Sequence, residues 1–392
     1  MLRILNVICS IDPSGGGVIE AARSFSSELM RRGHRVDFVC LDDPKTASLF
    51  DGSHQVHALG PGGSGYRYNG SLSSWVVAHK GEYDVAILHS LWNHASIGGR
   101  AGLVAAGIPY LYFTHGMLDI YFNSVQPVKK WAKQLFWLAL QNRVLADAHA
   151  VLFTTHAEQE ASRFTFFGGR PYRSEIVPLG IEGEPVSPSS SLADFDDLRQ
   201  LVSRPYLLFL SRIHPKKGID LLIEGFARYA DRLQGYDLVV AGPDPSGIRT
   251  ELMQRVDPIV SARIHWTGMV TGARKWALLR HSSAFILPSH QENFGIAVAE
   301  AAACGIPILT TNKVNIHATI SENGAGVVAD DTAAGLARLL DCFAALSQAE
   351  RTTMGQAARK CFMNEFSIEA ATDRLEHLLI GAARQTEAHI TG

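Results

Sequence analysis

The chain has 392 residues, of which 46% are apolar and 19% charged, so it can build sizeable cores and is not disordered. A formal net charge of −2 excludes the strongly basic overall charge that is typical of many nucleic-acid-binding proteins. The five cysteines are dispersed without a C-x-x-C pair, which favours reduced thiols in a cytoplasmic protein over a disulfide framework or a zinc site. A prior of ~150 residues per domain predicts two domains.

Short apolar runs alternate with longer amphipathic segments in the first half of the chain. The first run ends at Gly15, Gly16 and Gly17, and a helical periodicity follows up to Gly33. Because the N-terminal run turns into Pro and Gly so early, we expect a first strand and not a signal peptide. No apolar run reaches the ~20 residues that a spanning helix needs. The predicted strands are 2–8, 35–41, 85–89, 109–114 and 150–154.

A segment rich in Pro, Ser and acid, 182–197, interrupts this alternation and is the predicted linker region. The alternation then resumes, which predicts an α/β protein with two doubly wound parallel-sheet domains. We expect domain one over 1–182, a linker over 183–203, domain two over 204–363 and a final helical segment over 364–392. The predicted strands of domain two are 206–211, 237–241, 264–267, 284–287 and 307–310.

Ligands of open parallel sheets bind outside the carboxyl ends of the strands. Several residues that can bind ligands follow predicted strands, among them His89, His115, Arg212 and Glu292. Two such domains facing one another would form one site in the cleft between them.

The segment LPSHQENFGIAVAEAAACGIPILTT carries two carboxylates, Glu292 in a turn and Glu300 on the helix that follows. Eight helical residues span on the order of 10 Å, which is too far for sharing one proton or one metal. The pair can instead hold two hydroxyl-bearing groups of one extended ligand. Backbone N–H groups at the helix start, around Phe294, Gly295 and Ile296, suit an anion between them. Alternatively, Glu292 compensates the helix dipole and Glu300 is solvated.

The segment LFLSRIHPKKGIDLLIEGF places cations directly after a predicted strand. Arg212 follows the strand, Lys216 and Lys217 come next, and Gly218 allows close approach of the backbone. Two or three cations in this position suit a diphosphate. The alternative is a solvated basic turn.

These two segments, R-x4-K-G and E-x7-E, together resemble the family-4 retaining glycosyltransferases of the GT-B fold. THG (114–116), VPLGIE before the linker, IHWTGMV and the glycine turn after the first strand extend the resemblance along nearly the whole chain. It implies two Rossmann-like domains facing a central cleft, the first binding the acceptor and the second the nucleotide sugar. It also implies that the last helix packs back on the N-terminal domain. The stretch THGMLD…KKWAKQLFW resembles the subset that builds bacterial exopolysaccharide or lipopolysaccharide.

The resemblance also implies roles for individual residues. Arg212 and Lys217 hold the diphosphate and stabilise the charge that grows on the leaving phosphate. Glu300 binds the ribose and Glu292 the donor sugar. Backbone groups of Gly268, Met269 and Val270 meet the base, and Gly16 and Gly17 approach the phosphate and the acceptor.

His115 resembles the active-site histidine of the family, which contacts the donor sugar near the reacting carbon. Without the resemblance, a strand-end histidine with a satisfied hydrogen bond is the better interpretation.

Neither a metal nor a cofactor is expected. Asp194 and Asp196 form a D-x-D sequence, but it lies in the linker and away from any strand end, so we interpret it as a solvated turn. A dinucleotide fingerprint is also a poor match, because Glu20 stands where that pattern wants a small residue.

The segment 121–143 is basic and aromatic and contains no acid. After Pro127 it reads as a helix with Trp131, Leu135 and Leu138 on its apolar side. Basic and aromatic residues at one helix end suit an anionic membrane surface. The alternative is an amphipathic helix that faces the core.

The sequence therefore predicts a retaining, metal-independent hexosyltransferase, cytoplasmic or at the inner face of the plasma membrane. The acceptor is a hydroxyl of a growing, lipid-linked glycan, and GDP-mannose is slightly favoured over a UDP-hexose as the donor. The alternatives are a GT-B sugar-nucleotide epimerase and a non-catalytic protein that binds a nucleotide sugar or a glycan.

Overall fold

The computed structural model describes residues 1–12, 16–47, 54–63, 65–118, 127–183, 192–201 and 204–391. The chain divides into two compact units: unit 1 is Met1–Gly180 with Ile368–Gly392, and unit 2 is Ile181–Ser367. Of the predicted linker, residues 184–191 and 202–203 lie outside the described part, as does Gly15 of the glycine turn.

Unit 1 is built on a seven-stranded parallel sheet in the order β3-β2-β1-β4-β5-β6-β7. This is the order of a doubly wound sheet, with its switch point between β1 and β4. The strands are β1 Arg3–Val7, β2 Arg35–Cys40, β3 Gln55–Ala58, β4 Val85–His89, β5 Tyr110–Phe113, β6 Ala150–Phe153 and β7 Ser174–Ile176.

Two helices of unit 1 begin at a side-chain cap. The side chain of Asn93 accepts a hydrogen bond from Ser96 N, and that of Thr155 from Glu158 N. The helices are α1 Gly17–Arg31, α2 Pro44–Ala47, α3 Ser71–Ala78, α4 His94–Ala106, α5 Pro127–Phe136, α6 Asn142–Ala146 and α7 His156–Thr165. A π-helical turn, Trp137–Gln141, joins α5 to α6.

Both faces of this sheet are covered, as alternation along β1 requires. Leu5 and Val7 pack in the cluster that contains Leu72 of α3 and Leu103 of α4. Ile4 belongs instead to a cluster on the other face, which the last helix of the chain completes with Leu375 and Leu379 and with neighbouring apolar residues.

Unit 2 is built on a six-stranded parallel sheet in the order β10-β9-β8-β11-β12-β13. Every residue of β8 and β9 is buried, as in a sheet covered on both faces. The strands are β8 Tyr206–Leu210, β9 Asp237–Ala241, β10 Ile264–Gly268, β11 Ala284–Leu287, β12 Ile308–Thr311 and β13 Gly326–Ala329.

The helices that follow residue 191 are α8 Asp196–Leu201, α9 Ile219–Arg228, α10 Ile248–Met253, α11 Pro258–Ser261, α12 Gly272–His281, α13 Ile296–Ala303, α14 His317–Glu322, α15 Ala333–Ala345 and α16 Gln348–Cys361. A π-helical turn, Phe362–Phe366, follows α16. The last helix, α17 Ile368–Thr391, is the one that belongs to unit 1.

The predicted α/β class with two doubly wound parallel sheets is confirmed. All ten predicted strands are present, with ends shifted by one residue or less at most positions. The sequence reading missed three strands, β3, β7 and β13, and each is the last strand at one edge of its sheet.

Candidate active site

The two motifs of unit 2 lie at the switch point of its sheet. Strands β8 and β11 are neighbours, with Leu207 opposite Ala284 and Leu208 opposite Phe285. The loops at their carboxyl ends, which carry R-x4-K-G and Glu292, therefore emerge side by side.

Contacts between these two loops explain the glycine of the first motif. Gly218 has φ 67°, and a Cβ atom there would lie 1.9 Å from the carbonyl oxygen of Pro288. The carbonyl of Lys216 accepts hydrogen bonds from His290 N at 2.9 Å and Ser289 Oγ at 3.1 Å. Only glycine combines this backbone conformation with so close an approach.

Lys217 and Glu292 form an ion pair across the two loops. Both side chains are largely buried. The backbone of Glu292 is fixed by two hydrogen bonds of 3.0 Å, from its N–H to Lys313 O and from Asn315 N to its carbonyl. The cation expected at the diphosphate and the carboxylate expected at the sugar are thus in contact.

A cavity of about 310 Å³ brings both predicted glutamates together. Gly295, with φ 85°, precedes the first residue of α13, so the start of that helix borders the cavity. The lining comprises Leu210, Ser211, Lys275, Leu287, Glu292, Gly295, Ile296, Ala297 and Glu300.

Lys275 is the charged residue of the cavity lining that the sequence did not predict. Its Nζ lies 2.5 Å from Oε1 of Glu300, and both side chains are mostly buried. Lys275 stands between Arg274 and Trp276 on α12, in a segment without a recognisable motif. Only the packing of α12 beside α13 reveals its proximity to Glu300.

Other predicted residues of unit 2 do not line this cavity. Arg212 is exposed and its side chain has no hydrogen bond or ion pair within the described part of the chain. The side chain of Phe294 is buried against Phe366, with ring centroids 5.7 Å apart. Gly268, the last residue of β10, has φ 69°. In the turn that follows, Met269 is exposed and Val270 is buried.

The predicted residues of unit 1 lie at carboxyl ends of its strands. Gly16 precedes α1 with φ 78° and ψ −147°, a conformation suited to glycine, and the space beside Gly16 and Gly17 is open. His115 follows β5 in a left-handed conformation, φ 50°, which is uncommon for a residue with a side chain. Its Nε2 lies 2.9 Å from Nδ1 of His89, at the end of the neighbouring strand β4.

A buried carboxylate holds the backbone on either side of His115. Glu158 accepts hydrogen bonds from Thr114 Oγ1 at 2.8 Å and Gly116 N at 2.9 Å. Its other oxygen accepts from Thr154 N at 2.9 Å and Thr154 Oγ1 at 2.6 Å. These four bonds stabilise the strained turn that presents His115.

Both imidazoles are neutral at physiological pH. Burial lowers the pKa of His115 to about 3. Burial, and secondarily the neighbouring His115, holds the pKa of His89 well below its ordinary value. His115 therefore offers a neutral hydrogen-bonding group and not a cation.

The described residues contain no group of three or more His, Cys, Asp or Glu side chains placed to hold a metal ion. Asp194 and Asp196 are both exposed. Within the same residues, no helix has the length and apolar character needed to cross a bilayer.

Comparison with known proteins assigns both units. A model described as glycosyl transferase 4-like domain matches residues 16–180, and one described as glycosyl transferases group 1 matches residues 193–361. A D-inositol 3-phosphate glycosyltransferase of Segniliparus rotundus is 24% identical over 382 residues, covering 92% of this chain and 83% of the relative. An alpha-maltose-1-phosphate synthase of Mycolicibacterium smegmatis is 25% identical over 301 residues, 72% of this chain and 75% of the relative.

Solved structures show the same architecture. HepE from Anabaena, in complex with UDP and glucose, matches with a TM-score of 0.68 at 19% identity over 97% of this chain and all of that chain. WaaG, a glycosyltransferase involved in lipopolysaccharide biosynthesis, matches with a TM-score of 0.61 at 18% identity over 94% of this chain and 98% of that chain. The predicted family is confirmed: this chain belongs to the family-4 glycosyltransferases with the GT-B fold.

Proposed function

We propose that the protein is a retaining, metal-independent hexosyltransferase that uses a nucleoside diphosphate sugar as its donor. The observation that carries this proposal is the cavity at the β8–β11 switch point, where Glu292, Glu300 and the start of α13 meet. Carboxylates accept hydrogen bonds from sugar and ribose hydroxyls, and a helix start with its free N–H groups binds phosphate.

The charges of the site suit a diphosphate. Each glutamate is paired with one lysine, Glu292 with Lys217 and Glu300 with Lys275. Arg212, exposed and without a side-chain partner in the described residues, adds a further cation beside the cavity residue Ser211. As the donor binds, Lys217 exchanges Glu292 for a phosphate oxygen, and the freed carboxylate meets the sugar.

The anomeric C–O bond ionises, and Arg212 and Lys217 stabilise the charge that grows on the departing phosphate. The acceptor hydroxyl attacks from the same face, and the leaving phosphate takes its proton. Neutral His115 supports this assignment, because an imidazole with a pKa of about 3 is a weak general base, and at neutral pH it is not the imidazolium that would act as a general acid.

A donor and acceptor panel tests the proposal. GDP-mannose is the donor favoured by the sequence, and UDP-glucose enters the panel because HepE binds it. Release of nucleotide only when a glycan acceptor is present supports transfer. Release without acceptor supports an epimerase or a hydrolase, and binding without release supports a non-catalytic protein.

We further propose that the acceptor is lipid-linked in cell-surface polysaccharide synthesis and that α5 lies on an anionic membrane. The apolar side of α5 faces solvent: Trp131 is 64% exposed and Leu135 67%. Phe167, 62% exposed, extends this surface, since its ring lies 6.4 Å from that of Trp131. The core-facing alternative is therefore wrong for these residues.

Hydrogen bonds of two buried glutamines fix the orientation of α5 and of the π-helical turn that follows it. Gln134 is buried and bonds both Phe167 O at 2.8 Å and Phe167 N at 3.2 Å. Gln141 is also buried and donates to Tyr112 OH at 2.8 Å. The side of the segment that carries Gln134 and the buried Trp137 thus docks on the unit, and Trp131 and Leu135 face outward, with Lys130 exposed beside them. Exposed aromatic residues next to cations suit an anionic lipid surface.

A further inference from the structure

A buried chain of hydrogen bonds links α1 to His115 through three side chains. Ser26 Oγ lies 2.6 Å from Ala22 O and 3.0 Å from Asn6 Nδ2. Asn6 Oδ1 lies 2.9 Å from His89 Nε2, and His89 Nδ1 lies 2.9 Å from His115 Nε2. The chain crosses the switch point of the unit 1 sheet, because Asn6 is on β1 and His89 on β4.

The direction of this chain follows from its first member. Ser26 has one hydroxyl hydrogen, which it donates to the carbonyl of Ala22, so its oxygen accepts from the Asn6 amide. The carbonyl oxygen of Asn6 then faces His89, and it can only accept. His89 consequently carries its hydrogen on Nε2 and presents the lone pair of Nδ1 to His115.

His115 must therefore donate from Nε2. Since burial keeps both rings neutral, each carries one hydrogen, and Nδ1 of His115 is left with a lone pair. No side chain or backbone group of the described residues bonds this nitrogen. The ring is also stacked on Phe113, with centroids 4.5 Å apart and planes 13° from parallel, so it has little freedom to turn.

We propose that Asn6, Ser26 and His89 are positioning residues that hold His115 as the Nε2–H tautomer, so that its Nδ1 accepts a hydrogen bond from a hydroxyl of the donor sugar. This inference rests on the proposed function for the identity of the ligand, although the tautomer does not depend on it. A site built to accept from a hydroxyl discriminates strongly against an analogue that lacks that hydrogen.

Nitrogen NMR of protein labelled with ¹⁵N-histidine tests the tautomer directly, because protonated and lone-pair ring nitrogens resonate far apart. The His115→Ala variant assigns the signals. We expect a protonated Nε2 and a bare Nδ1 in the native protein. A proton on Nδ1 would overturn the inference whether or not the donor is a sugar nucleotide.

Two substitutions of His89 separate positioning from folding. His89→Asn places an amide oxygen near the position of Nδ1 and should preserve the His115 pattern. His89→Phe keeps the ring shape but removes the acceptor, so both His115 tautomers should appear and kcat/KM should fall about tenfold or more. Equal His115 spectra in the two folded variants would contradict the proposal.

Donors with single hydroxyls replaced by fluorine test the ligand. Fluorine cannot donate a hydrogen bond, and comparing each analogue in native and His115→Ala protein cancels its intrinsic effect on reactivity. At one hydroxyl position of the sugar, replacement by fluorine should lower the kcat/KM of the native protein about tenfold more than it lowers the kcat/KM of His115→Ala. Equal ratios at every position would show that Nδ1 receives no sugar hydroxyl.

Discussion

The Lys217 ammonium and the Glu292 carboxylate neutralise each other across the loops that follow β8 and β11. The residue proposed to hold the diphosphate and the residue proposed to hold the sugar are therefore coupled before either meets its ligand. Any substitution of one leaves the other without its ion-pair partner.

Loss of either diphosphate cation should lower turnover strongly. Lys217→Ala and Arg212→Ala each remove a charge-assisted bond that strengthens as the phosphate leaves, so kcat/KM should fall by about 10²-fold or more. Steady-state kinetics with the best donor of the panel measure this. Lys360→Ala, which removes an exposed lysine of α16, should leave kcat/KM unchanged.

A double variant isolates the direct effect of Lys217. Lys217→Ala alone also leaves Glu292 without its partner. If the rate loss came only from that stranded carboxylate, Lys217→Ala with Glu292→Gln would recover the activity of Glu292→Gln alone. We expect no such recovery. Near-normal turnover in Lys217→Ala or Arg212→Ala would show that the substituted residue does not hold the diphosphate.

The two glutamates should differ in their effects. Glu300→Ala removes a ribose contact that is similar in the ground and transition states, so it should raise KM. Glu292→Ala removes a contact to the sugar, whose charge and shape change as the bond breaks, so it should lower kcat. Free GDP or UDP carries the ribose without the sugar. The affinity of the Glu300 variant for this free nucleotide should fall. The affinity of the Glu292 variant should stay the same or rise, because Lys217 has lost its ion-pair partner.

Isothermal titration of the free nucleotide against both variants measures this difference, with circular dichroism as the check on folding. Equal losses of affinity in the two variants would contradict an extended ligand that bridges Glu292 and Glu300.

The edge strands show where the sequence signal is too weak. Nine of the ten predicted strands are mostly buried, and only the edge strand β10 is half-buried. The missed strands β3, β7 and β13 have three or four residues each and are also mostly half-buried. An edge strand pairs on one side only and needs no continuous apolar run. Periodicity therefore identifies the central strands of each sheet but only one of the four edge strands, β10.

The same distinction applies to the site. R-x4-K-G and E-x7-E are local patterns, and the structure brings Lys217, Glu292 and Glu300 to the same region. Lys275 and the bond between His89 and His115 depend on contacts between separate elements. No spacing in the sequence encodes these contacts, so they could not be predicted.

Activity should survive excess EDTA. Arg212, Lys217 and the N–H groups at the start of α13 supply the positive charge that Mg²⁺ would otherwise bring to the diphosphate. We expect the rate after chelation and desalting to match the untreated rate. Loss of activity in EDTA with recovery on adding Mg²⁺ or Mn²⁺ would show that a metal ion is required, and Asp194 and Asp196 would then be candidate ligands.

Stability should fall on acidification partly through His89. Its folded pKa lies well below the ~6.5 of an unfolded histidine, so below that pH the unfolded chain binds a proton that the folded chain does not. Above pH ~6.5 the neutral His89 makes its full contribution to the free energy of unfolding. Below that pH this contribution decreases by about 1.4 kcal/mol per pH unit. His89→Phe lacks this proton uptake.

Urea unfolding of native and His89→Phe protein between pH 8 and pH 5 checks the difference. The free energy of unfolding of the native protein should decrease more steeply below pH ~6.5, by about 1.4 kcal/mol per unit. Parallel curves would show that the pKa of His89 is the same in the folded and the unfolded chain.

The exposed face of α5 should bind anionic vesicles. Transfer of large apolar side chains into lipid is worth roughly 1.5 kcal/mol each, or about tenfold in affinity. Replacing Trp131, Leu135 and Phe167 together by serine should therefore lower the affinity for phosphatidylglycerol vesicles, measured by sedimentation, by about 10³-fold. These side chains are exposed, so the melting temperature should change little. Ile259→Ser, at an 80% exposed apolar residue of unit 2, is the matched control and should bind like the native protein.

The lipid and the salt separate the two forces at this surface. Neutral phosphatidylcholine vesicles should bind the native protein more weakly, because they offer no charge to Lys130 and the neighbouring cations. Added salt should weaken binding to anionic vesicles through screening, whereas the apolar contribution should persist. Equal binding of the native and triple-serine proteins, or no binding by either, would contradict membrane binding through this apolar face.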